Sequence, residues 1–214
     1  IFEEKFSEYV NKKKSVSVCN GTVALHLSLL AIGIKPGDEV IVPTFSYIAA
    51  INAIKYCGAN PVLVDCDIKT WQINIADIEN LITENTKAIL LVHVYGGCID
   101  VKNIKPIIKK HNLYLIEDCA EALGTKFNKK HVGENADIST YSFFGNKTLT
   151  TGEGGMISTN CPKIAKKVYQ LKTQGVSLNR EYFHDVLGYN YRMTNICAAI
   201  GTAQLERIEL FLKQ

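Results

Sequence analysis

A single lysine, Lys147, lies between two short runs of β-branched and aromatic residues that are typical of strands, Ile138 to Phe143 and Gly155 to Thr159. The connection between the runs is rich in glycine and threonine, which predicts a tight loop. A lysine held there and flanked by Phe143 and Phe144 is partly removed from water, which favours the neutral amine that acts as a nucleophile or forms a Schiff base. The alternative is an ordinary solvated lysine in a turn, so the chemistry depends on partners elsewhere in the chain.

Two further segments have residues suited to binding an anion and a planar ring. Asn20 follows a strand-like run and precedes a helical pattern, so it can cap that helix while Gly21 allows a ligand to approach the backbone. The free amides of the first helical turn then form an anion site, although an ordinary capped helix explains the same residues. Ser46 is predicted to cap the next helix, and Tyr47 beside it offers a ring for stacking or for packing.

Acidic and imidazole side chains supply the remaining candidates. Asp118 ends the apolar run of IEDCA and Glu121 follows it; a buried carboxylate is costly without a cationic partner, so Asp118 is expected either to meet one or to cap a helix. His93 lies near the end of another run, and His184 lies in YFHDVLGYNYR. Each histidine is a candidate for substrate contact, with packing as the alternative. No cluster has metal-ligand spacing, so no metal site is predicted.

The elements that must position these residues alternate along the chain, which predicts an α/β fold with a mainly parallel sheet and helices on both faces. The strand-like runs before the lysine loop are Ser15 to Val18, Glu39 to Val42, Pro61 to Asp65, Ala88 to Val94 and Tyr114 to Asp118. The helical patterns are Thr22 to Ala31, Ser46 to Tyr56, Ala76 to Ile82, Val101 to His111 and Thr194 to Lys213. Ligands of open parallel sheets bind beyond the carboxyl ends of the strands, where the candidate residues lie.

Composition narrows the class of protein. The chain has 214 residues, 47% of them apolar, which suits one large domain, and its net charge of +3 gives no reason to expect nucleic acid as a partner. Seven scattered cysteines without a CxxC pair suggest a reducing compartment, and no run is apolar for long enough to span a membrane, so a cytoplasmic protein is predicted. The chain lacks an initiating Met and ends inside a helical pattern, which predicts a fragment.

The candidates above match the requirements of pyridoxal phosphate, which needs a lysine for a Schiff base, an acid for the pyridinium proton, a ring for stacking and amides for the phosphate. The order of the segments is more specific than any one of them. The resemblance is to the DegT-type sugar aminotransferases, which are fold type I pyridoxal phosphate enzymes, and it lies in NGTVALHLSLL, GDEVIVPTFSYIAAINAI, VHVYGG, IEDCAEALG, YSFFGNKTLTTGEGGM and GYNYRMTNICAAIG. It implies that residues 1–214 are the large cofactor-binding domain, an α/β/α sandwich with a mainly parallel seven-stranded sheet, without the small C-terminal domain.

The resemblance also implies a role for each matching residue. Lys147 would bind the cofactor covalently and move the proton between the donor carbon and C4′, and Asp118 would pair with the pyridine nitrogen. Glu121 would bond the ring hydroxyl and Tyr47 would stack on the ring. The phosphate would be held by Gly21, Thr22 and Ser142.

Within the family, the chain is most similar to members that aminate C4 of a nucleotide-linked 4-keto-6-deoxy sugar. The resemblance implies L-glutamate as amino donor and a homodimer in which Asn190 of GYNYR reaches the phosphate of the neighbouring subunit. Family members are longer than this chain, so residues that choose the sugar are expected partly outside it, and the nucleotide carrier and hexose configuration stay open.

Other classes of protein stay open at this stage. A nicotinamide dehydrogenase shares the alternating pattern, but GEGGM, Gly152 to Met156, enters a strand instead of opening a helix. Related dehydratases have a histidine where Lys147 stands, so the lysine favours transamination. A non-catalytic regulator of the same family and an inactive product of truncation are further alternatives; retention of Lys147 and Asp118 favours turnover.

Overall fold

The computed structural model describes residues 1–213, and its centre is a seven-stranded sheet. The strands are β1 (Lys14–Val18), β2 (Glu39–Pro43), β3 (Asn60–Val64), β4 (Thr86–Val92), β5 (Tyr114–Asp118), β6 (Lys126–Phe127), β7 (Lys130–His131), β8 (Ile138–Ser142) and β9 (Gly155–Thr159). The sheet order is β1-β9-β8-β5-β4-β2-β3, and β6 and β7 form a separate antiparallel pair. Only β9 runs against its neighbours β1 and β8, so the predicted mainly parallel sheet is confirmed.

Helices cover both faces of the sheet. They are α1 (Phe2–Tyr9), α2 (Gly21–Ala31), α3 (Ala49–Tyr56), α4 (Ile75–Ile78), α5 (Lys105–His111), α6 (Pro162–Lys172), α7 (Asn195–Leu205) and α8 (Ile208–Phe211). Short 3₁₀ turns occupy Glu79–Leu81, Val94–Gly96 and Val101–Asn103.

The packing of the core explains why the strands are continuous apolar runs in the sequence. Along β4, Ala88 and Leu90 pack into the cluster under α2, α3 and α6, whereas Ile89 and Leu91 pack into the cluster under α4 and α5. A strand that is buried on both faces has no polar side, as expected of a parallel sheet between helices. The α/β/α sandwich is therefore confirmed.

Several predicted helix bounds differ from the observed ones. The predicted helix Ser46 to Tyr56 begins only at Ala49, and the prediction that Ser46 caps it was wrong, because the Ser46 hydroxyl donates to the Tyr47 carbonyl at 3.3 Å. The helical pattern Thr194 to Lys213 is two helices, α7 and α8, which are separated at Glu206 and Arg207.

Two helices outside the predicted set close the ends of the core. Helix α1 buries Phe2 and Phe6, and α6 buries Ile164 and Val168, in each case apolar residues four positions apart on one helical face. All seven cysteines are unpaired. Within residues 1–213, none of the helices has the length and apolar character that crossing a membrane requires.

The parallel strands bring the candidate residues to one edge of the sheet. Asn20 and Gly21 follow β1, Tyr47 follows β2, Asp118 ends β5 and Ser142 ends β8. The carboxyl ends of these strands point the same way, so side chains from distant parts of the sequence share one rim.

Candidate active site

A cleft with a volume of about 510 Å³ opens at this rim. Most of the residues singled out in the sequence line it: Gly21, Thr22, Tyr47, Asp118, Glu121, Ser142 and Lys147. The prediction that these side chains lie together is confirmed by the structure, although their individual roles stay predictions. His93, His184 and Asn190 are not among the lining residues.

One end of the cleft is suited to an anion. Asn20 caps α2, because its Oδ1 accepts the backbone N–H of Val23 at 3.0 Å, and the first amides of the helix have no intrahelical acceptor. A Cβ added to Gly21 would lie 2.8 Å from Ser142 Cβ and 3.2 Å from Ser142 Oγ. Glycine therefore keeps open the space between the helix start and β8, where amides and the hydroxyls of Thr22 and Ser142 can meet an oxyanion.

Asp118 lies buried at the floor of the cleft with one oxygen engaged. Its Oδ1 accepts the N–H of Ala120 at 3.0 Å and the hydroxyl of Thr140 at 3.4 Å, and over residues 1–213 no donor bonds Oδ2. Burial raises the pKa of Asp118 to about 6, against the opposing effects of those bonds and of the nearby His93 and Lys147 side chains. No helix begins directly after Asp118, because residues 119–125 form turns, so the helix-cap alternative is wrong. The carboxylate is placed to meet a cation that arrives with a ligand.

Lys147 lies in the tight loop that its sequence predicts. Its backbone N–H donates to the Phe144 carbonyl at 3.0 Å, and its side chain is 21% exposed, which agrees with partial removal from water. Phe144 lines the cleft beside it, whereas Phe143 is fully buried in the core and packs on Phe6. Only one of the two flanking rings therefore shields the lysine.

Glu121 and Tyr47 complete the polar and aromatic lining. Glu121 Oε1 lies 3.5 Å from Lys147 Nζ, and its Oε2 accepts the backbone N–H of Tyr95 at 3.0 Å. Tyr47 is 75% exposed, so its ring is available to a ligand in the cleft. The sequence argument overlooked Thr140, whose hydroxyl faces Asp118 only because β8 pairs with β5.

His93 does not face the cleft. It is fully buried, its Nε2 lies 2.8 Å from Glu117 Oε2, and its Nδ1 accepts the N–H of Ile99 at 3.4 Å. The ring proton is therefore on Nε2 and is donated to Glu117. The prediction that His93 touches a substrate is not supported by this position.

The same fold brings potential metal donors together that sequence spacing did not reveal: the ligand atoms of His93, Glu117 and Cys119 lie within 4.8 Å of one another. Oε2 of Glu117 already accepts from His93 Nε2 and from the N–H of Gly133, at 2.6 Å. The donation from Ile99 to Nδ1 leaves a proton, not a lone pair, on the nitrogen that faces Glu117. We therefore assign the cluster as a hydrogen-bonded network and not as a metal site.

Taken together, the cleft brings an anion cradle, a lysine amine and a buried acid around one space. Comparison with known proteins agrees with this donor set. The model of the DegT/DnrJ/EryC1/StrS aminotransferase family matches residues 1–214. The chain belongs to that family.

Individual members of the family are similar to this chain over nearly all of its length. GDP-perosamine synthase of Escherichia coli O157:H7 is 57% identical over 213 residues, which are 100% of this chain and 58% of the relative. GDP-perosamine synthase of Vibrio cholerae is 51% identical over 212 residues, 99% of this chain and 58% of the relative. The chain thus spans less than two thirds of the length of these curated relatives.

A solved structure also has a similar fold. NtdA of Bacillus subtilis, determined with its bound cofactor PMP, superposes with a TM-score of 0.92 at 36% identity, over 98% of this chain and 48% of that one. Its agreement with the sheet described above confirms the fold class implied by the resemblance, a mainly parallel sheet between helices as in fold type I pyridoxal phosphate aminotransferases.

Two candidates from the sequence, Asn190 and His184, lie outside the cleft of their own chain. Asn190 is exposed, and its Oδ1 lies 3.4 Å from both Nε and Nη2 of Arg192. The Tyr191 carbonyl accepts the N–H of Cys19, so this segment runs beside the β1–α2 turn. His184 is also exposed, and its backbone pairs with Val176. Neither residue contacts the cleft within one chain.

Proposed function

We propose that the full-length protein is a pyridoxal phosphate-dependent aminotransferase that converts a nucleotide-linked 4-keto-6-deoxy sugar to the 4-amino-4,6-dideoxy sugar, with L-glutamate as amino donor. The observation that carries this proposal is the meeting of Lys147, Asp118 and the α2 anion cradle in one cleft. The names of relatives at 51% and 57% identity support GDP as the carrier and perosamine as the product.

The residues present fit the cofactor by their chemistry. The α2 amides with Thr22 and Ser142 would hold its phosphate, and Tyr47 would lie on its ring. Asp118, with Oδ2 available, would hold a proton on the pyridine nitrogen. Pyridoxal phosphate, when bound, supplies an electron sink for the pair released when a C–H bond of the amino donor breaks.

Lys147 is the residue we assign to proton transfer. Its amine would take the proton from the α-carbon of glutamate and return it at C4′ of the cofactor, and in the sugar half-reaction it would act in reverse. Glu121, which bonds Tyr95 N–H through its other oxygen, keeps the amine at the cleft while it is charged. A positioned acid or base of this kind typically accelerates a reaction by ~10²- to 10⁴-fold.

The proposal is tested with purified full-length protein loaded with pyridoxal phosphate. We expect a visible absorption band, its loss on adding L-glutamate, and 2-oxoglutarate production that continues only with a 4-keto-6-deoxy sugar linked to GDP, in a panel that includes dTDP and UDP carriers. A protein that binds nucleotide sugars but shows neither the band nor turnover would instead be the non-catalytic regulator. A nicotinamide dehydrogenase would show no such band and would require NAD(P).

We also propose that the protein is a homodimer with shared sites, because Asn190 is polar and exposed and yet lies outside its own cleft. A closed two-fold dimer presents the same patch twice, so each site would receive Asn190 from the partner. Full-length Lys147→Ala and Asn190→Ala, each impaired alone, should recover activity when their subunits exchange. In the mixed dimer one site carries both defects and the other carries neither.

Exchange is verified with subunits that carry different affinity tags. If Asn190 serves its own subunit, each site of the mixed dimer keeps one defect, and activity stays at the level of the separate variants. Absence of recovery after verified exchange would therefore contradict the shared site while leaving the aminotransferase assignment untouched.

A further inference from the structure

Three aromatic side chains stand together at the mouth of the cleft, and we call Phe45, Trp71 and Tyr95 the aromatic rim. Their ring centroids are 5.8 Å apart for Phe45 and Trp71, 6.3 Å for Phe45 and Tyr95, and 6.1 Å for Trp71 and Tyr95. The rings meet edge to face and remain 44%, 54% and 71% exposed in chain order. A contiguous aromatic surface of this kind on a folded protein indicates a binding site.

The backbone holds two of these rings outward in an unfavourable conformation. Trp71 has a φ of 60° and Tyr95 a φ of 51°, in the left-handed region that bulky residues seldom adopt. Trp71 N–H donates to the Asp67 carbonyl at 2.7 Å, and Gln72 Nε2 donates to the Val94 carbonyl at 3.3 Å, which ties the two segments together. Such conformations persist where the surroundings enforce them, and they cluster at ligand sites.

The aromatic rim continues the proposed active site outward. Phe45 and Tyr95 line the cleft, and Trp71 contacts both rings. Tyr95 N–H bonds one oxygen of Glu121, whose other oxygen faces Lys147. A long substrate whose reacting carbon lies at Lys147 therefore has its far end over the rim if it leaves the cleft on the Glu121 side.

We propose that the aromatic rim binds the nucleobase of the nucleotide-linked sugar, with Trp71 as the main stacking surface. This inference rests on the proposed function, because it assigns a place to the far end of that substrate. Stacking suits the site for two reasons: it covers ring surface that water otherwise meets, and an extended indole offers the largest face of the three rings. Each stacked base contributes enough that removing its aromatic partner costs affinity by about ten- to a hundredfold.

The test measures binding of GDP and of inorganic pyrophosphate to the full-length holoenzyme by calorimetry. Trp71→Ala should raise the Kd for GDP about tenfold or more, Trp71→Phe should raise it less because a smaller ring still stacks, and pyrophosphate binding should be unchanged in both. The control variant is Tyr169→Ala, which removes a ring of similar exposure, 53%, on α6. Circular dichroism and the Tm of each variant report whether the fold is intact.

Trp71 is the one tryptophan among the 214 residues, so the fluorescence difference between the parent and Trp71→Phe reports this side chain. We expect GDP to quench that difference signal and pyrophosphate to leave it unchanged. A Kd for GDP within about twofold of the parent in a folded Trp71→Ala protein would overturn the proposal. A shift of the dimer–monomer balance in Trp71→Ala without any change in GDP affinity would also overturn the proposal, since the rim would then be a subunit contact.

The reaction with L-glutamate alone separates this inference from the proposed function, because that half-reaction involves no nucleobase. Loss of the visible band on adding glutamate tests the aminotransferase assignment in the parent protein. If the protein is inert to glutamate but its GDP binding depends on Trp71, the role of the aromatic rim is supported and the aminotransferase assignment is rejected. If the protein reacts with glutamate but its GDP binding does not depend on Trp71, only the role of the aromatic rim is rejected.

Discussion

Replacing Lys147 by alanine in the full-length protein is expected to remove the visible band of the bound cofactor and to lower turnover by about 10²- to 10⁴-fold or more. The reason is that, in the proposed mechanism, one amine supplies both the covalent attachment and the proton transfer, and within the lining of the cleft no second lysine is present to replace it. The measurement is the absorption spectrum together with 2-oxoglutarate production under saturating glutamate and sugar nucleotide.

The matched control is Lys163→Ala, which removes an exposed lysine from α6, away from the cleft. It should keep both the band and the turnover of the parent. Added primary amines are expected to restore part of the lost rate in Lys147→Ala, since a free base can enter the vacated space. Full activity in Lys147→Ala would exclude this lysine from the chemistry.

Asp118→Asn is expected to lower turnover far more than it lowers cofactor occupancy. The amide keeps the shape of the carboxylate and can still accept from Ala120 N–H, and the anion cradle lies elsewhere, so the phosphate stays bound. An amide cannot stabilise a protonated pyridine nitrogen, so the electron sink is weakened. Occupancy is measured from the cofactor released on denaturation, and turnover from 2-oxoglutarate.

The pH dependence of stability gives an independent check on Asp118. Without cofactor, its pKa of about 6 in the folded chain exceeds the ordinary aspartate value of 3.8, so the unfolded state loses its proton first as pH rises. Ionisation therefore costs the folded state up to about 3 kcal/mol at neutral pH, and this cost is absent in strong acid, where both states are protonated.

Cofactor-free Asp118→Asn should accordingly unfold at a higher temperature than the parent at about pH 7.5, with the gap narrowing toward about pH 4. Asp77→Asn, at an exposed site on α4, should show no such pH-dependent gain. If Asp118→Asn keeps parental turnover and shows no gain at neutral pH, the carboxylate is neither desolvated nor catalytic, and the assignment of its role fails.

Much of the candidate site was predictable because it lies at positions that strand patterns identify locally. The apolar runs indicated the strands, and parallel strands place their carboxyl ends at one edge, so Asp118 and the Asn20–Gly21 turn had to share a rim. Lys147 could be singled out because its loop is bounded by two clear strand patterns. The order of the motifs then indicated the family, which the family model confirms.

Other features depended on contacts between residues that are distant in sequence. His93 lies inside the run Ala88 to Val94, whose apolar character predicts a strand, but β4 ends at Val92 and the ring turns inward to Glu117. Periodicity cannot tell which way a side chain turns once a strand ends. Ser46 likewise had the right type for a cap, and only the observed start of α3 at Ala49 showed that it serves none.

The sequence by itself therefore determined the alternating architecture and the chemical inventory of the cleft, because hydrophobic period and residue type are local properties. Tertiary structure alone decided which further residues contact those side chains. Thr140 reaches Asp118 through the pairing of β8 with β5, and Trp71 meets Tyr95 because Gln72 bonds the Val94 carbonyl across two loops. These contacts join segments whose spacing along the chain carries no period, so they exist only once the sheet has brought the strand ends together.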